Sequence, residues 1–230
     1  MSRDPGERRR VLLFGKVPRP GRTKTRLAPA LGEEGAARLY RAFLDDTVRL
    51  AGRSVAEEVE LWLAGRPAGS DGTAVTDRHA GLRVRRQVGD GLGERLRGAF
   101  AAAFDEGVDL AAVLGTDHPT LPPARIDEAF ASLAAAEAVL GPTRDGGYYL
   151  LALRREAWPR AAALFREIPW STREVAAVTR RRAREAGVEI RSLATWYDVD
   201  EPAELERLRE DVDPATATAR ALTRLDAASD

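Results

Sequence analysis

The sequence predicts an α/β protein whose mainly parallel sheet is covered by helices on both faces. Three short apolar runs, VLLFG, VELWLA and DLAAVLG, have the length and composition of strands buried on both sides. Segments with apolar residues at helical spacing separate or follow these runs. Strands that alternate with helices form parallel sheets, because each crossover helix packs back onto the sheet. No internal period recurs, which argues against a repeat architecture.

The predicted elements begin with a strand at 11–15, followed by a loop rich in glycine, proline and arginine that ends near residue 29. A helix starts after Gly32, with Glu33 and Glu34 in its first turn, where the helix dipole favours acidic side chains. The other predicted elements are strands at 59–64 and 82–87, a helix at 92–104, a strand at 109–115, a helix at 122–135, strands at 136–142 and 147–154 around a turn, a helix at 171–186, a strand at 188–193 and a helix at 201–209.

The composition is that of an ordinary globular protein and excludes several functional classes. Of the 230 residues, 44% are hydrophobic and 31% are charged, and 36 acidic residues balance 36 basic ones. A nucleic-acid coat or a protein of membrane surfaces usually carries an unbalanced charge, so neither is expected. The chain has no cysteine, which excludes disulfides, thiolate zinc sites and cysteine nucleophiles.

The sequence favours one domain at 10–210, with a flexible N-terminus at 1–9 and a polar, alanine-rich C-terminal extension at 211–230. The first residues lack the apolar run of a signal peptide, and no window approaches the ~18 apolar residues of a membrane span. We therefore expect a cytoplasmic protein with neither a membrane nor a nucleic acid as partner. A homodimer is compatible with the sequence, which leaves the oligomeric state open.

Open α/β sheets bind their ligands beyond the carboxyl ends of the strands, and this rule selects three segments. The first is the loop after the first strand, the second is GTDHPTLP at 115–122, and the third is DVDEP at 198–202. The first loop contains the basic residues Lys16, Arg19, Arg22, Lys24 and Arg26.

The loop after the first strand resembles a phosphate cradle, because its glycines let the backbone approach an anion that its cations neutralise. Its spacing differs from a Walker A loop, since five residues separate Gly15 and Gly21. Only Lys16 and Lys24 are lysines among the 36 basic residues of the chain. A lysine presents a compact charge to a phosphate oxygen, so its retention at Lys24 points to function. The alternative is a solvated basic surface loop.

The GTDHPTLP segment places Asp117 directly after a buried strand. A carboxylate at such a strand end can bind Mg²⁺ through one oxygen and leave the other sites of the metal to water and phosphate. The alternative is that Asp117 caps the following helix, but Thr120 is nearer to its start and is the better cap. His118 is interpreted as a packing residue rather than a ligand, and His79 is given no role.

The DVDEP segment supplies Asp198 and Asp200. Alternate residues of an extended segment point to the same side, so both carboxylates can face one cation. The alternative is helix capping, since Asp200 followed by Glu201 and Pro202 is a good helix start. Two distant acidic segments around one Mg²⁺ are the usual requirement for handling a nucleoside diphosphate or triphosphate.

Two glycine-rich turns complete the candidate motifs. GDGLGERL at 89–96 opens a helix, and its backbone N–H groups are available to a base or an anion. GPTRDGGYYLL at 141–151 joins two strands through a turn at 145–147, a composition that plain turn chemistry also explains. The IPWST segment at 168–172 leads into a helix for which Ser171 or Thr172 is the expected cap.

These motifs together resemble a known family. The segments PRPGRTKTRLAPALG, GDGLGERL, GTDHPTLP, GPTRDGGYYLL, IPWST and DVDEPAEL occur in the order seen in the DUF2064 family, glycosyltransferase-like proteins also called the transferase 1, rSAM/selenodomain-associated group. The resemblance covers about residues 10–210. It implies a Rossmann-like, three-layer α/β/α arrangement, the GT-A nucleotide-diphospho-sugar transferase fold. The family is similar to 2-phospho-lactate guanylyltransferase and to the molybdenum cofactor guanylyltransferase.

The resemblance also implies roles for particular residues. In the related nucleotidyltransferases, the loop after the first strand binds the triphosphate, a glycine-rich turn contacts the base, acidic residues hold Mg²⁺ or Mn²⁺, and a DGG turn lines the acceptor pocket. The positions that correspond to the triphosphate site are Gly15, Arg22, Lys24 and Arg26, and those for the base are Gly91, Leu92 and Gly93. The metal would be held by Asp117 and Asp200, with Asp198 as the alternative to Asp200. The acceptor pocket would be lined by Asp145, Gly146 and Gly147. Lys24, Arg26 and Asp117 are the expected catalytic residues.

The expected function is a Mg²⁺- or Mn²⁺-dependent transfer of a nucleoside monophosphate from a nucleoside triphosphate to a small acceptor, with release of pyrophosphate. A phosphorylated acceptor is favoured, and either a phosphate or a hydroxyl of the acceptor would attack. Lys24, with Arg22 or Arg26, would offset the charge that develops on the phosphates. A glycosyltransferase with a nucleotide-sugar donor is one alternative, and a non-catalytic nucleotide-binding module is another. The first loop lacks the GG-rich, Arg-Met pattern of the molybdenum-cofactor enzymes, so the resemblance leaves the reaction open.

Overall fold

The computed structural model describes residues 6–65, 79 and 81–227. Its strands are β1 (Arg9–Lys16), β2 (Glu58–Ala64), β3 (Arg83–Arg86), β4 (Leu110–Gly115), β5 (Ala138–Pro142), β6 (Tyr148–Arg154) and β7 (Ile190–Ser192). Its α-helices are α1 (Ala28–Ala51), α2 (Leu92–Asp105), α3 (Ala124–Ser132), α4 (Trp158–Ala161), α5 (Val175–Glu185), α6 (Ala203–Asp211) and α7 (Ala217–Asp226). Short 3₁₀ turns lie at Thr25–Leu27, Arg155–Ala157 and Ala162–Phe165.

The strands of the described residues form one sheet in the order β3-β2-β1-β4-β6-β5-β7. β1 lies between β2 and β4 and is parallel to both, with Leu13 opposite Leu61 on one side and Leu114 on the other. β6 runs antiparallel to β4 and β5, while the other neighbouring pairs are parallel. The predicted mixed, mainly parallel sheet is therefore confirmed.

Helices cover both faces of this sheet. Successive side chains of a strand point to opposite faces, so neighbouring leucines of β1 enter different cores. Leu13 packs with Phe43 of α1 and with apolar residues of α3, α6 and α7. Leu12 packs on the other face with Phe100 of α2 and with residues of α4 and α5. The three-layer α/β/α arrangement is thus confirmed. No helix of the described ranges is long and apolar enough to cross a membrane.

Local departures from the predicted elements have simple causes. Gly32 interrupts α1 with φ 69° and ψ 163°, so regular helical geometry begins after it, as predicted. α4 and its flanking 3₁₀ turns occupy residues 155–165, for which the sequence predicts no element, because turns this short show no visible period. Both predicted caps are wrong. α5 starts beyond Ser171 and Thr172, and the Thr120 hydroxyl lies within 3.3 Å of the Trp196 indole nitrogen, from which it accepts a hydrogen bond, instead of capping α3.

The two ends of the described chain are held more firmly than expected. β1 begins at Arg9, and the Arg8 backbone N–H donates to the Asp109 carboxylate over 3.0 Å. α7 lies within the polar, alanine-rich extension at 211–230, for which a loosely held helix was expected, and its Leu222 is buried in the same cluster as α1. Packing therefore continues from β1 to α7, whereas residues 1–5 and 228–230 of the two predicted terminal segments lie outside the described residues.

A buried arginine ties β1 to its neighbours at the amino-terminal edge of the sheet. The Arg10 side chain is 2% exposed, and its guanidinium lies 2.5 Å from Glu58, 3.1 Å from Glu60 and 2.6 Å from Glu106. Burial alone would raise the pKa of Glu106, but hydrogen bonds from Arg10 and Arg85 outweigh it and lower that pKa to about 2. This charge cluster lies at the opposite end of β1 from the predicted site.

Candidate active site

The loop after β1 folds around a buried threonine. The Thr23 hydroxyl donates to the Val17 carbonyl over 3.0 Å and accepts from the Arg19 N–H over 3.1 Å. These bonds close a tight turn directly before Lys24, whose φ of 50° and ψ of 43° lie in the left-handed region. A non-glycine residue there carries strain of order 1 kcal/mol, which is tolerated where the surroundings fix the residue. The contacts of the Lys24 side chain supply that constraint.

The Lys24 ammonium joins the other two predicted segments. Its Nζ lies 2.6 Å from an Asp117 carboxylate oxygen, 2.5 Å from an Asp200 carboxylate oxygen and 2.8 Å from the Val199 carbonyl. The Lys24 side chain is 4% exposed, whereas Asp117 and Asp200 are 41% and 44% exposed. The buried lysine therefore leaves the outer side of both carboxylates open to solvent. The sequence predicted each segment, and the structure brings them to one point.

Backbone hydrogen bonds hold the two acidic segments together. Asp117 follows β4, and its carbonyl accepts from the Val199 N–H over 3.0 Å. The Glu204 carboxylate of α6 accepts from the Asp200 N–H over 3.0 Å and also from the Glu201 N–H. Glu204 thus binds the backbone amides of the two residues that precede Pro202, and the Asp200 side chain contacts Lys24. Capping was the alternative role for Asp200, but no side chain of the described residues caps α6.

The charges of this site stabilise one another. Burial alone would lower the pKa of Lys24, but the charges of Asp117 and Asp200 outweigh it and raise that pKa above its ordinary value. Burial likewise would raise the pKa of Asp200, but the charge and hydrogen bond of Lys24 hold it below its usual range. Lys24 is therefore a permanent cation, and Asp200 remains a carboxylate at neutral pH.

Aromatic residues of α1 form the floor beneath Lys24, and sequence reasoning missed their role. The rings of Tyr40 and Phe43 have centroids 5.9 and 5.7 Å from the ammonium, within range of a cation–π attraction. The Tyr40 hydroxyl accepts from the Lys16 N–H over 2.8 Å and lies 2.8 Å from the Thr116 hydroxyl. Both residues fit the apolar spacing of the helix, which predicts only packing. The one sequence signal of a further role is the hydroxyl of Tyr40, a polar group at a buried position.

A second acidic pair lies beside this centre. Burial, and then the charges of Asp145 and Asp200, raise the pKa of Asp198 to about 6. Asp145 itself accepts from the Thr143 hydroxyl over 2.5 Å and from the Gly147 N–H over 3.0 Å, which is turn chemistry. The structure thus brings Asp198 and Asp145 near the carboxylates on Lys24, although the sequence assigned Asp145 only to the acceptor pocket.

The turn at Gly146 requires glycine. Its φ is 92°, and a Cβ there would lie 2.0 Å from the Arg173 carbonyl oxygen. The Gly146 carbonyl also accepts from the Ala176 N–H over 2.9 Å, which docks α5 onto the turn. Gly146 therefore fixes the position of α5 against the DGG turn.

The Gly146→Ala variant should lose about 2–4 kcal/mol of unfolding free energy, because the new methyl group meets backbone atoms and the φ angle is strained. Urea denaturation measures this loss. The matched control is Gly98→Ala within α2, where the added Cβ has free space and alanine should stabilise by about 0.5–1 kcal/mol. Equal stability of the two variants would contradict the assigned role of Gly146.

The other predicted binding residues are placed differently. Arg22 and Arg26 are exposed, and Arg26 pairs with Glu201 over 3.3 Å. Gly15 is a buried residue of β1, where a Cβ would meet the Leu44 side chain at 2.9 Å, so packing accounts for a glycine at this position. A nucleotide contact of the Gly15 backbone remains a prediction.

The glycine-rich turn before α2 divides into two parts. Gly91 and Leu92 are exposed, as residues that contact a base would need to be. Gly93 is buried, and a Cβ there would lie 2.7 Å from the Phe165 carbonyl and 2.9 Å from the Trp170 indole nitrogen. The glycine at 93 is thus explained by close helix packing, whereas base contacts at 91 and 92 remain predictions.

His118 is a packing residue, as predicted. Its ring is buried and lies edge-on against Tyr149, with centroids 6.0 Å apart. Burial lowers its pKa, so the imidazole is neutral, and its Nδ1 lies 3.1 Å from the Tyr197 carbonyl that accepts from it. His79 lies outside the site and contacts Asp45 over 3.2 Å.

The carboxylates of Asp117 and Asp200, which contact Lys24, are suited to bind a divalent cation together with the phosphates of a nucleotide. Among the described residues, no group of three or more His, Cys, Asp or Glu side chains is arranged to hold a metal. Mg²⁺, however, is usually held by one or two carboxylates, with substrate phosphates and water as the remaining ligands. Asp117 and Asp200 provide two such carboxylates, which converge on one point and keep exposed outer oxygens.

Solved structures share this fold. A proposed nucleotide-diphospho-sugar transferase from Desulfovibrio desulfuricans G20 is 30% identical, with a TM-score of 0.87 and 96% of each chain covered. CMP:2-keto-3-deoxy-manno-octonic acid synthetase, complexed with CTP, is 15% identical, with a TM-score of 0.53 over 89% of this chain and 98% of that one. Rv0371c of Mycobacterium tuberculosis H37Rv, complexed with manganese, is 21% identical, with a TM-score of 0.53 over 89% of this chain and 100% of that one. No curated protein matches the sequence.

The 30% identical relative and the shared fold define the class of this protein: it is a transferase with the fold of nucleotide-diphospho-sugar transferases. It belongs to the DUF2064 family, described as uncharacterized proteins conserved in bacteria, whose model matches residues 47–172. The family and the fold that the motifs suggested are thereby confirmed. Membership of a transferase class also favours an enzyme over a non-catalytic binding module.

Proposed function

We propose that this protein is a metal-dependent nucleotidyltransferase that moves a nucleoside monophosphate from a nucleoside triphosphate to a small phosphorylated acceptor and releases pyrophosphate. The observation that carries the proposal is the convergence of Asp117 and Asp200 on the buried ammonium of Lys24. The 4-diphosphocytidyl-2C-methyl-D-erythritol synthase and the CTP complex among the structural neighbours support a nucleotide substrate.

The three side chains have complementary tasks in this reaction. Asp117 and Asp200 would hold a divalent cation, which would supply positive charge to the phosphates. Lys24, which contacts both carboxylates, would direct its positive charge at the phosphates that carry the developing negative charge. The exposed Arg22 and Arg26 lie on the same loop and are available to the outer phosphates of the triphosphate. A phosphate acceptor is already ionised, so no general base is needed.

Glycosyl transfer from a nucleotide sugar is the second candidate, because the 30% identical relative is a proposed nucleotide-diphospho-sugar transferase. The same carboxylates and cation would then stabilise a leaving nucleoside diphosphate. The two reactions release different products, since nucleotidyl transfer yields pyrophosphate and glycosyl transfer yields a nucleoside diphosphate. Product analysis therefore separates the candidates.

The first test is a thermal-shift panel of the four nucleoside triphosphates and of nucleotide sugars, with and without Mg²⁺ or Mn²⁺. A ligand present at 100 times its Kd stabilises the native state by about 2.7 kcal/mol, so specific binding raises Tm clearly. We expect one triphosphate to raise Tm most, and only with metal. The best ligand is then incubated with phosphorylated acceptors, and release of pyrophosphate is measured.

The Asp117→Asn variant should fold but lose the metal-dependent part of the nucleotide shift and about 10²-fold or more of the turnover, because an amide binds a divalent cation weakly. Asp105→Asn is the matched control, since Asp105 is exposed at the end of α2, and it should behave like the wild type. Unchanged binding and turnover in Asp117→Asn would remove Asp117 from the site.

A further inference from the structure

A groove between α1 and α7 is lined by cations and lies apart from the candidate active site. Its volume is about 380 Å³, which is within the range of pockets that hold small molecules. Five arginines line it: Arg38, Arg41 and Arg49 from α1, and Arg220 and Arg224 from α7. Within the described residues, no hydrogen bond or ion pair joins these side chains to Lys24, Asp117 or Asp200.

The arginines form two stripes that face each other. Residues 38, 41 and 49 are spaced along one side of α1, and residues 220 and 224 are one turn apart on α7. Arg38 and Arg41 on α1, and Arg220 and Arg224 on α7, are like charges three or four residues apart, which destabilises a helix; Asp45, four residues from both Arg41 and Arg49, offsets part of this cost on α1. An anion between the two helices would relieve that repulsion.

The acidic residues nearest the groove already have partners. Asp45 lines the groove itself and contacts His79 over 3.2 Å. Asp46 pairs with Arg49 over 3.4 Å and accepts from the Thr218 N–H over 2.7 Å. Arg38 contacts Glu34 over 3.2 Å on the exposed surface. Among the described residues, by contrast, no carboxylate pairs with Arg41, Arg220 or Arg224. Arg220 donates through its Nη1 to the Ala215 carbonyl over 2.8 Å, so the guanidinium groups of Arg41 and Arg224 and the other N–H donors of Arg220 remain for a bound anion.

The groove is preorganised because α7 is docked on α1. Asp46 of α1 accepts hydrogen bonds from the first turn of α7, including one from the Ala217 N–H over 2.8 Å. Leu222 is buried against α1, and a Cβ on Gly35 would lie 3.0 Å from Leu225. The two arginine stripes are therefore held at a fixed separation, which lowers the entropic cost of binding.

We infer that the groove between α1 and α7 is a second binding site, for a small ligand with two or more phosphate groups. Guanidinium groups bind phosphate through paired N–H donors, and facing stripes can contact two phosphates at once. The floor formed by Ala42, Ala221 and Leu225 is apolar, so it would pack against the uncharged part of such a ligand. This inference does not depend on the proposed transferase reaction.

The test uses inorganic tripolyphosphate as the probe in chelator-treated, metal-free buffer. The Lys24→Met background reduces binding by the loop after β1, and calorimetry then measures the affinity of the groove. The variant Arg41→Gln/Arg224→Gln should bind at least about tenfold more weakly, because charge-assisted bonds to phosphate are lost. The control Arg181→Gln/Arg184→Gln removes two arginines from α5 and should retain the affinity of the background.

Amide hydrogen exchange locates the bound probe. Tripolyphosphate should slow exchange in α7 and in the facing part of α1, and the groove variant should lose this protection. Equal affinity of the groove and control variants would overturn the inference, as would protection confined to the loop at 16–27. Equally tight binding of a hexaglutamate peptide would overturn the phosphate assignment and indicate a docking surface for acidic proteins.

Discussion

The Lys24→Met variant should lose about 10²- to 10³-fold of the transferase rate, because a preorganised charge aimed at the reacting phosphates is removed. The same variant should bind Mn²⁺ more tightly than the wild type when no nucleotide is present. In the structure the ammonium lies between Asp117 and Asp200, so it competes with a metal for both carboxylates. Removing a unit charge about 4 Å from a divalent ion changes its energy by about 2 kcal/mol even in water, so the gain should be tenfold or more.

These opposite effects on rate and on metal affinity distinguish a catalytic role of Lys24 from a purely structural one. Calorimetry with Mn²⁺ measures the affinity, and pyrophosphate release measures the rate. Lys16→Met is the matched control for metal binding, since Lys16 is the other lysine of the chain, ends β1 and is exposed. Weaker Mn²⁺ binding in Lys24→Met than in Lys16→Met would contradict competition between lysine and metal.

The same geometry predicts that nucleotide and metal bind cooperatively to the wild type. Phosphates that approach Lys24 offer it an alternative anionic partner, which leaves Asp117 and Asp200 available to the metal. The affinity for Mn²⁺ should therefore rise when a non-hydrolysable nucleoside triphosphate is present, and linkage requires the reciprocal effect on the nucleotide. The Lys24→Met variant should show a smaller enhancement.

The Arg10→Met variant should lose about 3–5 kcal/mol of unfolding free energy, the largest stability effect that we expect. Its partner Glu60 is 2% exposed, so removing Arg10 takes away one of the cations that compensate a buried carboxylate. Urea denaturation measures the loss. Arg38→Met is the control, because Arg38 and Glu34 form an exposed pair whose removal should cost less than about 1 kcal/mol.

A double variant separates charge from packing. Arg10→Met/Glu60→Leu replaces the buried pair by apolar side chains, so it should recover part of the lost stability, since the buried charge is gone. If the double variant is no more stable than Arg10→Met, the loss reflects packing around Arg10 and not the uncompensated charge of Glu60.

The ion pairs of Arg10 with Glu58, Glu60 and Glu106 also make the free energy of unfolding depend on pH in the acidic range. The pKa of Glu106 is lowered to about 2 in the folded state, and the pKa of Glu58 is lowered as well. The resulting stability is fully present above the ordinary glutamate pKa of about 4.3 and is lost as the pH falls towards 2. The Arg10→Met variant should show a shallower loss over this range, which denaturation at several pH values tests.

Much of the fold follows from local patterns in the chain. The apolar runs of β1, β2 and β4 and the spacing of Gly32–Ala51 appear in the structure where the sequence places them. The helical turns at 155–165 were not predicted, because they are too short to show a period. The packing of α7 was also not predicted, because its sequence is rich in alanine and arginine and has only a few large apolar side chains.

The candidate site was only partly visible in the sequence. The sequence pointed to Lys24, Asp117 and Asp200, because each lies in a recognisable segment and has a side chain suited to bind phosphate or a metal. Their mutual contact could not be derived, because 175 residues separate Lys24 from the Val199 carbonyl that it also contacts. The position of Tyr40 beneath Lys24 was missed for the same reason, because the apolar spacing of a helix does not show which strand end the helix covers.

The sequence alone determined the alternation of strands and helices, the residues suited to bind phosphate and the family of the protein. These are local properties, set by side-chain chemistry and spacing. The tertiary structure alone decided that one buried ammonium stands between two distant carboxylates, and that two arginine stripes face each other across a groove. Such arrangements depend on how the sheet orders its strands and how helices dock on it, which the packing of the whole chain decides.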